Sequence, residues 1–392
     1  MSNNPSLLSV DGLSVQYIQR RRSAPFVAVN DVSFDLMKGE TVALVGESGS
    51  GKTTIGNAIL GLSPVSQGTI QFDGEVIVGT QGADREMISE SIQVIFQDPF
   101  GSLNPRRTIG QILVEPLMVH RKQSRSDMWS EVERMLVRVG LPKDAASRYP
   151  RHFSGGQRQR IAIARAMIIE PRLVVCDEPV SSLDLSVQAQ ILNLLGELQD
   201  NEGLSYLFIS HDIAVVRHLA HRVLVLYRGR VVEEGSVDQV CSDPRHPYTR
   251  ALFLAAPIAD PDVQRARNVA RRELTVSDKD EGDGCPFYSR CAFGVTRCAQ
   301  ERPELRRTRS GSLSACHRDT ELPDLDIDSL WPRKVTTNDD QLTRPSRTVE
   351  VSSTEVYEDL TNDNSPPAQV TPTACAGGSQ SCDGEFTRAD ES

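Results

Sequence analysis

The run Gly46-Glu47-Ser48-Gly49-Ser50-Gly51-Lys52-Thr53 spells G-x-x-x-x-G-K-[ST] and dictates what must surround it. Glycines let such a loop curl until backbone N–H groups point inward at phosphate oxygens. Those groups converge when a buried strand enters the loop and a helix leaves it, with the helix dipole aimed at the anion. Both flanks are present: residues 41–45 are an apolar, β-rich run, and residues 52–62 have helical spacing. Lys52 offers its charge to the β- and γ-phosphates, and the Thr53 hydroxyl is placed to ligate Mg²⁺. Gly46, Ser48, Gly49, Ser50, Gly51, Lys52, Thr53 and Thr54 are the candidate phosphate contacts. A plain glycine-rich turn is the alternative, and the strand–loop–helix context argues against it.

The same alternation continues along the chain. Residues 8–10, 27–34, 173–176, 204–209 and 223–227 have the character of strands, whereas 128–139, 161–169 and 185–198 are spaced as helices. Strands alternating with helices predict an α/β fold with a parallel sheet. No apolar run approaches the ~18 residues of a membrane-spanning helix. The N-terminus MSNNPSLLSVDG lacks the charged start and apolar core of a secretory signal, so secretion is not expected.

The net charge of −10 is confined to one end. Residues 320–392 hold 15 Asp/Glu against 5 Lys/Arg, and the rest of the chain is balanced. No excess of positive charge marks a nucleic-acid surface. The end segment is rich in Asp, Glu, Thr, Ser, Asn and Pro, a composition that buries too little apolar surface to offset its ordering entropy, and it reads as a disordered acidic tail. A polar stretch over 260–284 reads as a link between two parts. The basic runs Arg20-Arg21-Arg22 and Arg306-Arg307-Thr308-Arg309 suit solvated surface better than contact with lipid head groups or a partner.

Two further motifs bear on chemistry. Leu173-Val174-Val175-Cys176-Asp177-Glu178 is an apolar strand ending in two carboxylates. Beside a phosphate loop, the first can hold Mg²⁺ and the second can orient and deprotonate an attacking water. Phe153-Ser154-Gly155-Gly156-Gln157 precedes a helix and suits an N-cap with open N–H groups, a second anion site. Alone, each is an ordinary solvated loop or helix start.

In this order the motifs resemble the ATP-binding cassette, the ATPase subunit of ABC transporters, over about residues 7–257. Gln97 in Ile-Phe-Gln-Asp-Pro is similar to the Q-loop, Ser181-Ser182-Leu183-Asp184 to the D-loop, and His211 in Ile-Ser-His-Asp to the switch histidine. Tyr17 aligns with the aromatic residue that stacks on adenine. Phe153 departs from the leucine common in cassettes. The resemblance implies a P-loop NTPase fold with a RecA-like core, a β subdomain and a helical subdomain at about 98–165. It also implies a head-to-tail dimer in which Ser154, Gly155, Gly156 and Gln157 of one chain close on ATP held by the other. Asp184 contributes to that ATP site. Glu178, His211 and Lys52 become the catalytic residues, and Thr53, Gln97 and Asp177 the Mg²⁺ ligands.

Four of the eight cysteines, Cys285, Cys291, Cys298 and Cys316, fall within 32 residues, with His317 adjacent. In a reducing compartment such a cluster reads as metal binding before disulfides. Tight C-x2–4-C pairs of structural zinc sites are absent, and the wide spacing suits an iron–sulfur cluster somewhat better, with zinc the alternative. Four unrelated thiols is the plainer reading. His246-Pro247-Tyr248-Thr249-Arg250-Ala251-Leu252 and Gly284-Cys-Pro-Phe-Tyr-Ser-Arg-Cys resemble the C-terminal extension of oligopeptide and dipeptide transporter ATPases, here at 258–319. That resemblance implies peptide import and a 4Fe–4S cluster of structural or regulatory role. Asn104-Pro105 and residues 149–154 are similar to the second ATPase of the heterodimeric pair. The implied partners are a paralogous or identical second cassette, two transmembrane permease subunits and, indirectly, an extracytoplasmic peptide-binding protein, with no nucleic acid. The implied place is the cytoplasmic face of the membrane, bound peripherally. A soluble ABC ATPase acting on nucleic acid and an iron–sulfur redox-regulated ATPase are the competing readings. Only 108 residues between Gly46 and Ser154, and a single cassette, favour the transporter.

Overall fold

The computed structural model describes residues 6–18, 25–121, 124–256, 261–274 and 283–323. The Arg20–Arg22 run, Cys375, Cys382 and the acidic tail from 324 onward lie outside the described residues. The chain opens with β1 (Leu8–Tyr17), β2 (Phe26–Leu36), β3 (Thr41–Val45), α1 (Lys52–Ile59), β4 (Gln67–Phe72), β5 (Glu75–Val76), α2 (Ala83–Ser91) and β6 (Ile92–Ile95). Helices α3 (Pro99–Ser102), α4 (Ile109–His120), α5 (Arg125–Arg138) and α6 (Gly155–Met167) follow. Next come β7 (Leu173–Asp177), α7 (Leu185–Glu202), β8 (Ser205–Ser210), α8 (Ile213–Leu219), β9 (Arg222–Tyr227) and β10 (Arg230–Ser236). The last elements are α9 (Val237–Ser242), α10 (Pro247–Ala255), α11 (Pro261–Leu274), α12 (Thr296–Gln300), β11 (Arg306–Arg307) and β12 (Leu313–Ser314).

Two sheets organise these elements. The larger runs β11-β12-β10-β9-β3-β8-β7-β6. Its centre, β9-β3-β8-β7-β6, is parallel, so both faces are covered and the strands read as unbroken apolar runs. All five residues of β3 and all six of β8 are buried. Register then gathers the chemistry: Val45 lies opposite Ser210, and Asp177 opposite Ile209. The segments after β3, β7 and β8 therefore leave the sheet at one edge, where open α/β sheets bind ligands. The smaller sheet, β2-β1-β4-β5, is antiparallel.

Among the described residues three apolar clusters hold the layers. One joins the two sheets and α1 through Leu8, Val10, Val29, Leu44, Ile55 and Ile209. A second packs α4 to α7 around Leu113, Leu136, Ile161 and Leu195, each fully buried Leu or Ile contributing on the order of 1.5–3 kcal/mol. Phe153 joins this cluster at 6% exposure, so the departure from leucine fills core volume. The third cluster includes Tyr227, Tyr248, Phe253, Phe287 and Cys291. It welds residues 283–323 to the parallel sheet, and β12 extends that sheet by pairing with β10. Part of the stretch read as a link is helix α11. Among the described residues no helix is long and apolar enough to cross a membrane.

Candidate active site

The loop between β3 and α1 depends on glycine most clearly at Gly51. Its φ is 105°, and a Cβ there would lie 2.6 Å from the Ala28 carbonyl oxygen. Helix α1 starts without a side-chain cap and without an acidic residue in its first turn, so its N–H groups remain open to an anion. The buried Ser50 hydroxyl has no hydrogen-bond partner among the described residues, and a phosphate oxygen would supply one. The Lys52 ammonium donates to the carbonyl oxygens of Gly46 at 2.8 Å and Glu47 at 3.0 Å. Burial lowers the pKa of this amine, against the opposing pull of Glu178 and Asp177.

Thr53 and Asp177 meet beside the phosphate loop. The Thr53 hydroxyl donates to Asp177 Oδ1 at 3.0 Å. Burial raises the Asp177 pKa, and the Thr53 hydrogen bond opposes it. Two oxygen donors beside the phosphate loop suit Mg²⁺, which prefers oxygen and few protein ligands. Gln97 is exposed two residues beyond β6. Ile95 in that strand lies opposite Cys176, so Gln97 leaves the sheet at the same edge as Asp177.

Glu178 occupies the left-handed region at φ 47°, a strained position for a non-glycine residue. Its N–H donates to the Ile209 carbonyl oxygen at 3.0 Å, and its Oε1 stands 3.2 Å from His211 Nδ1. The carboxylate is mostly covered, at 17% exposure, and the imidazole is open, at 56%. Ser181, Gln188, Ser210 and Asp212 share the pocket around this pair.

The remaining candidates sit on their own elements. Ser154 caps α6 in a reciprocal box: its Oγ accepts from the Gln157 N–H at 3.3 Å, and Gln157 Oε1 accepts from the Ser154 N–H at 3.0 Å. Gly156 packs α6 so tightly on α7 that a Cβ would lie 2.4 Å from Val187 Cγ1. Asp184 caps α7, accepting from the Val187 N–H at 3.0 Å. Tyr17 ends β1, with its hydroxyl 2.9 Å from Ser63 Oγ.

Cys285, Cys291, Cys298 and Cys316 line one small, mostly apolar cavity with Phe287, Phe293 and His317. Burial pushes the Cys285 thiol up to about 11 and the Cys316 thiol up to about 12. Among the described residues no three His, Cys, Asp or Glu side chains are placed to hold a single metal ion. The four thiols therefore share one cavity but are not placed around a single ion, so the expected cluster or zinc site is not formed among the described residues.

One set of contacts was not foreseen. Arg290 forms a fork with Glu47 of the phosphate loop, its two amines 2.9 Å from the two carboxylate oxygens. The Glu47 N–H donates to the Tyr248 hydroxyl at 2.8 Å. The guanidinium also lies over the rings of Phe287 and Tyr227. Its hydrogen bonds hold the Glu47 carboxyl below the usual range. Glu47 fills a free position of the motif, so no local signal announces a partner 243 residues away.

Residues 29–181 match the family model described as ABC transporter, and residues 232–298 match the oligopeptide/dipeptide transporter C-terminal region. The chain is 49% identical over 280 residues to the oligopeptide transport ATP-binding protein OppF of Salmonella typhimurium, covering 71% of this chain and 84% of that one. It is 42% identical over 320 residues to the dipeptide transport ATP-binding protein DppF of Haemophilus influenzae, covering 81% and 98%. The fold is similar to the dimeric ATP-binding cassette MJ0796 bound to ADP and Pi, with TM-score 0.54, 27% identity, and 59% of this chain and 98% of that chain covered.

Proposed function

The chain belongs to the ABC transporter family, as an ATP-binding protein with the oligopeptide/dipeptide C-terminal region, and from that membership we propose how it works. It is an ATPase that drives peptide import through separate permease subunits, docked peripherally on the cytoplasmic face of the membrane. One observation carries the reading. Lys52, the Thr53–Asp177 pair and the Glu178–His211 pair converge at one sheet edge, in a chain that covers 98% of a dipeptide transport ATP-binding protein.

The α1 N-terminus and Lys52 bind the phosphates. Thr53, Asp177 and Gln97 would hold Mg²⁺, which neutralises charge on the β- and γ-oxygens when bound. Glu178 orients the attacking water and takes its proton, and His211 fixes that carboxylate and reaches the γ-phosphate. Ser154 to Gln157 and Asp184 complete the site on a second cassette, a paralogue or an identical copy, while Tyr17 receives the adenine. Cys285, Cys291, Cys298 and Cys316, which line one cavity, would hold a 4Fe–4S cluster, with zinc as the alternative. A peptide-binding protein outside the membrane selects cargo.

The test is uptake. In cells lacking this chain, labelled di- to pentapeptide accumulation should fall to background and return with the wild-type chain but not with Lys52→Ala. Undiminished uptake would refute the transport assignment. Iron and sulfide should accompany anaerobically purified protein and vanish in Cys291→Ser; metal-free wild-type protein would refute the cluster.

A further inference from the structure

The turn that carries Arg290 is built from the cysteine cavity. The Tyr288 N–H donates to the Cys285 carbonyl oxygen at 2.9 Å, the Arg290 N–H to that of Phe287 at 3.1 Å, and the Cys291 N–H to that of Tyr288 at 3.1 Å. Arg290 therefore projects from a single turn bracketed by two of the four cavity cysteines. Its head is clamped by the Phe287 and Tyr227 rings and delivered as a fork onto Glu47. Glu47 is itself part of the Gly46–Thr53 loop, and its carbonyl oxygen accepts from Lys52. A released Glu47 carboxylate would place an uncompensated negative charge beside a polyphosphate. Paired with Arg290, that charge is cancelled.

We propose that Arg290 is a positioning residue that couples the four-cysteine cavity to the phosphate-binding loop, so that the state of the cavity sets nucleotide affinity. An intact cavity holds the turn and keeps Glu47 neutralised. A disrupted cavity loosens the turn, frees Glu47 and weakens ATP binding. Both partners are about 40% exposed, which limits the effect to a modest one. The inference rests on reading the Gly46–Thr53 loop as the ATP site.

The experiment is equilibrium titration of the full chain with a fluorescent ATP analogue, with metal content measured on each sample. Arg290→Ala should weaken binding about 3- to 10-fold at low salt, and less at high salt. Glu47→Gln combined with Arg290→Ala should recover to within about two-fold of Glu47→Gln alone, because the repelling charge is gone. A loss through general damage to the extension would not be rescued this way. Arg290→Lys, which keeps the charge but not the fork, should fall between. Cys291→Ser should weaken binding in the wild-type background and add nothing to Arg290→Ala; Cys298→Ser replaces it should the first variant not fold. Unchanged affinity in Arg290→Ala, absence of rescue, or equal effects of Cys291→Ser with and without Arg290 would each overturn the coupling. Wild-type protein that bound no nucleotide would overturn the ATP site itself, a different failure.

Discussion

His211 Nδ1 stands 3.2 Å from Glu178 Oε1, although the two residues leave different strands. The contact exists because β7 and β8 are parallel neighbours, so their C-terminal ends emerge side by side.

Glu178→Gln keeps the side-chain shape but removes the proton acceptor. ATP affinity should stay within about three-fold of wild type, while turnover falls at least about 100-fold. Steady-state phosphate release beside nucleotide titration checks this, and near-normal turnover would remove Glu178 from the base role.

Asp177→Asn leaves the Thr53 hydroxyl without its anionic partner. The gain in nucleotide affinity that Mg²⁺ gives should shrink about ten-fold, with binding in EDTA little changed. Paired titrations with and without Mg²⁺ decide it. Equal losses in both would mean that Asp177 supports the loop rather than the ion.

Gly156→Ala drives a methyl group into Val187. The variant should lose about 1–3 kcal/mol of stability, and Val187→Ala in the same chain should restore most of it. Urea denaturation of the single and double variants measures both. Failure of the rescue would place the clash elsewhere.

His246 caps α10 through Nδ1, which accepts from the Tyr248 N–H at 3.1 Å, and burial holds its pKa down to about 3. A depressed folded-state pKa means stability is present above the ordinary histidine value near 6.5 and is lost as pH falls toward 3. Glu233, which accepts from the His246 N–H, has the opposite sign: burial raises it to about 7, so its contribution is lost as pH rises through that value. His246→Asn keeps an acceptor at the cap but cannot be protonated. Relative to wild type it should gain on the order of 1–2 kcal/mol between pH 7 and pH 5. Denaturation midpoints at three pH values in that range measure the difference, and parallel curves would contradict a neutral buried His246.

Much of the sheet edge that carries the candidate site was legible because its signals are local. Thr41–Val45 and Leu173–Asp177 are unbroken apolar runs, and the functional groups follow each within a few residues. The antiparallel sheet was less legible: β4 and β5 are mixed in polarity, and β5 is a two-residue strand that pairs with β4 alone among the described residues. Helix α11 escaped notice inside a charged stretch because its apolar positions are few; buried Leu274 is one. The cysteine spacing read as an iron–sulfur or zinc site; the four thiols do line one cavity, but among the described residues no three ligand side chains are placed to hold an ion. The Arg290–Glu47 fork could not be read, since neither residue carries a pattern and their approach depends on how the extension docks.

The docking of that extension also protects the sheet. Strand β12 lies along the outer side of β10, and β11 presents the exposed cations Arg306 and Arg307 outermost. A fragment trimmed after residue 257, where the nucleotide-handling motifs end, would bare β10 as an unguarded template for intermolecular strand pairing. Such a minimal enzyme should polymerise on concentration, so the β11–β12 segment doubles as the molecule's safeguard against self-association.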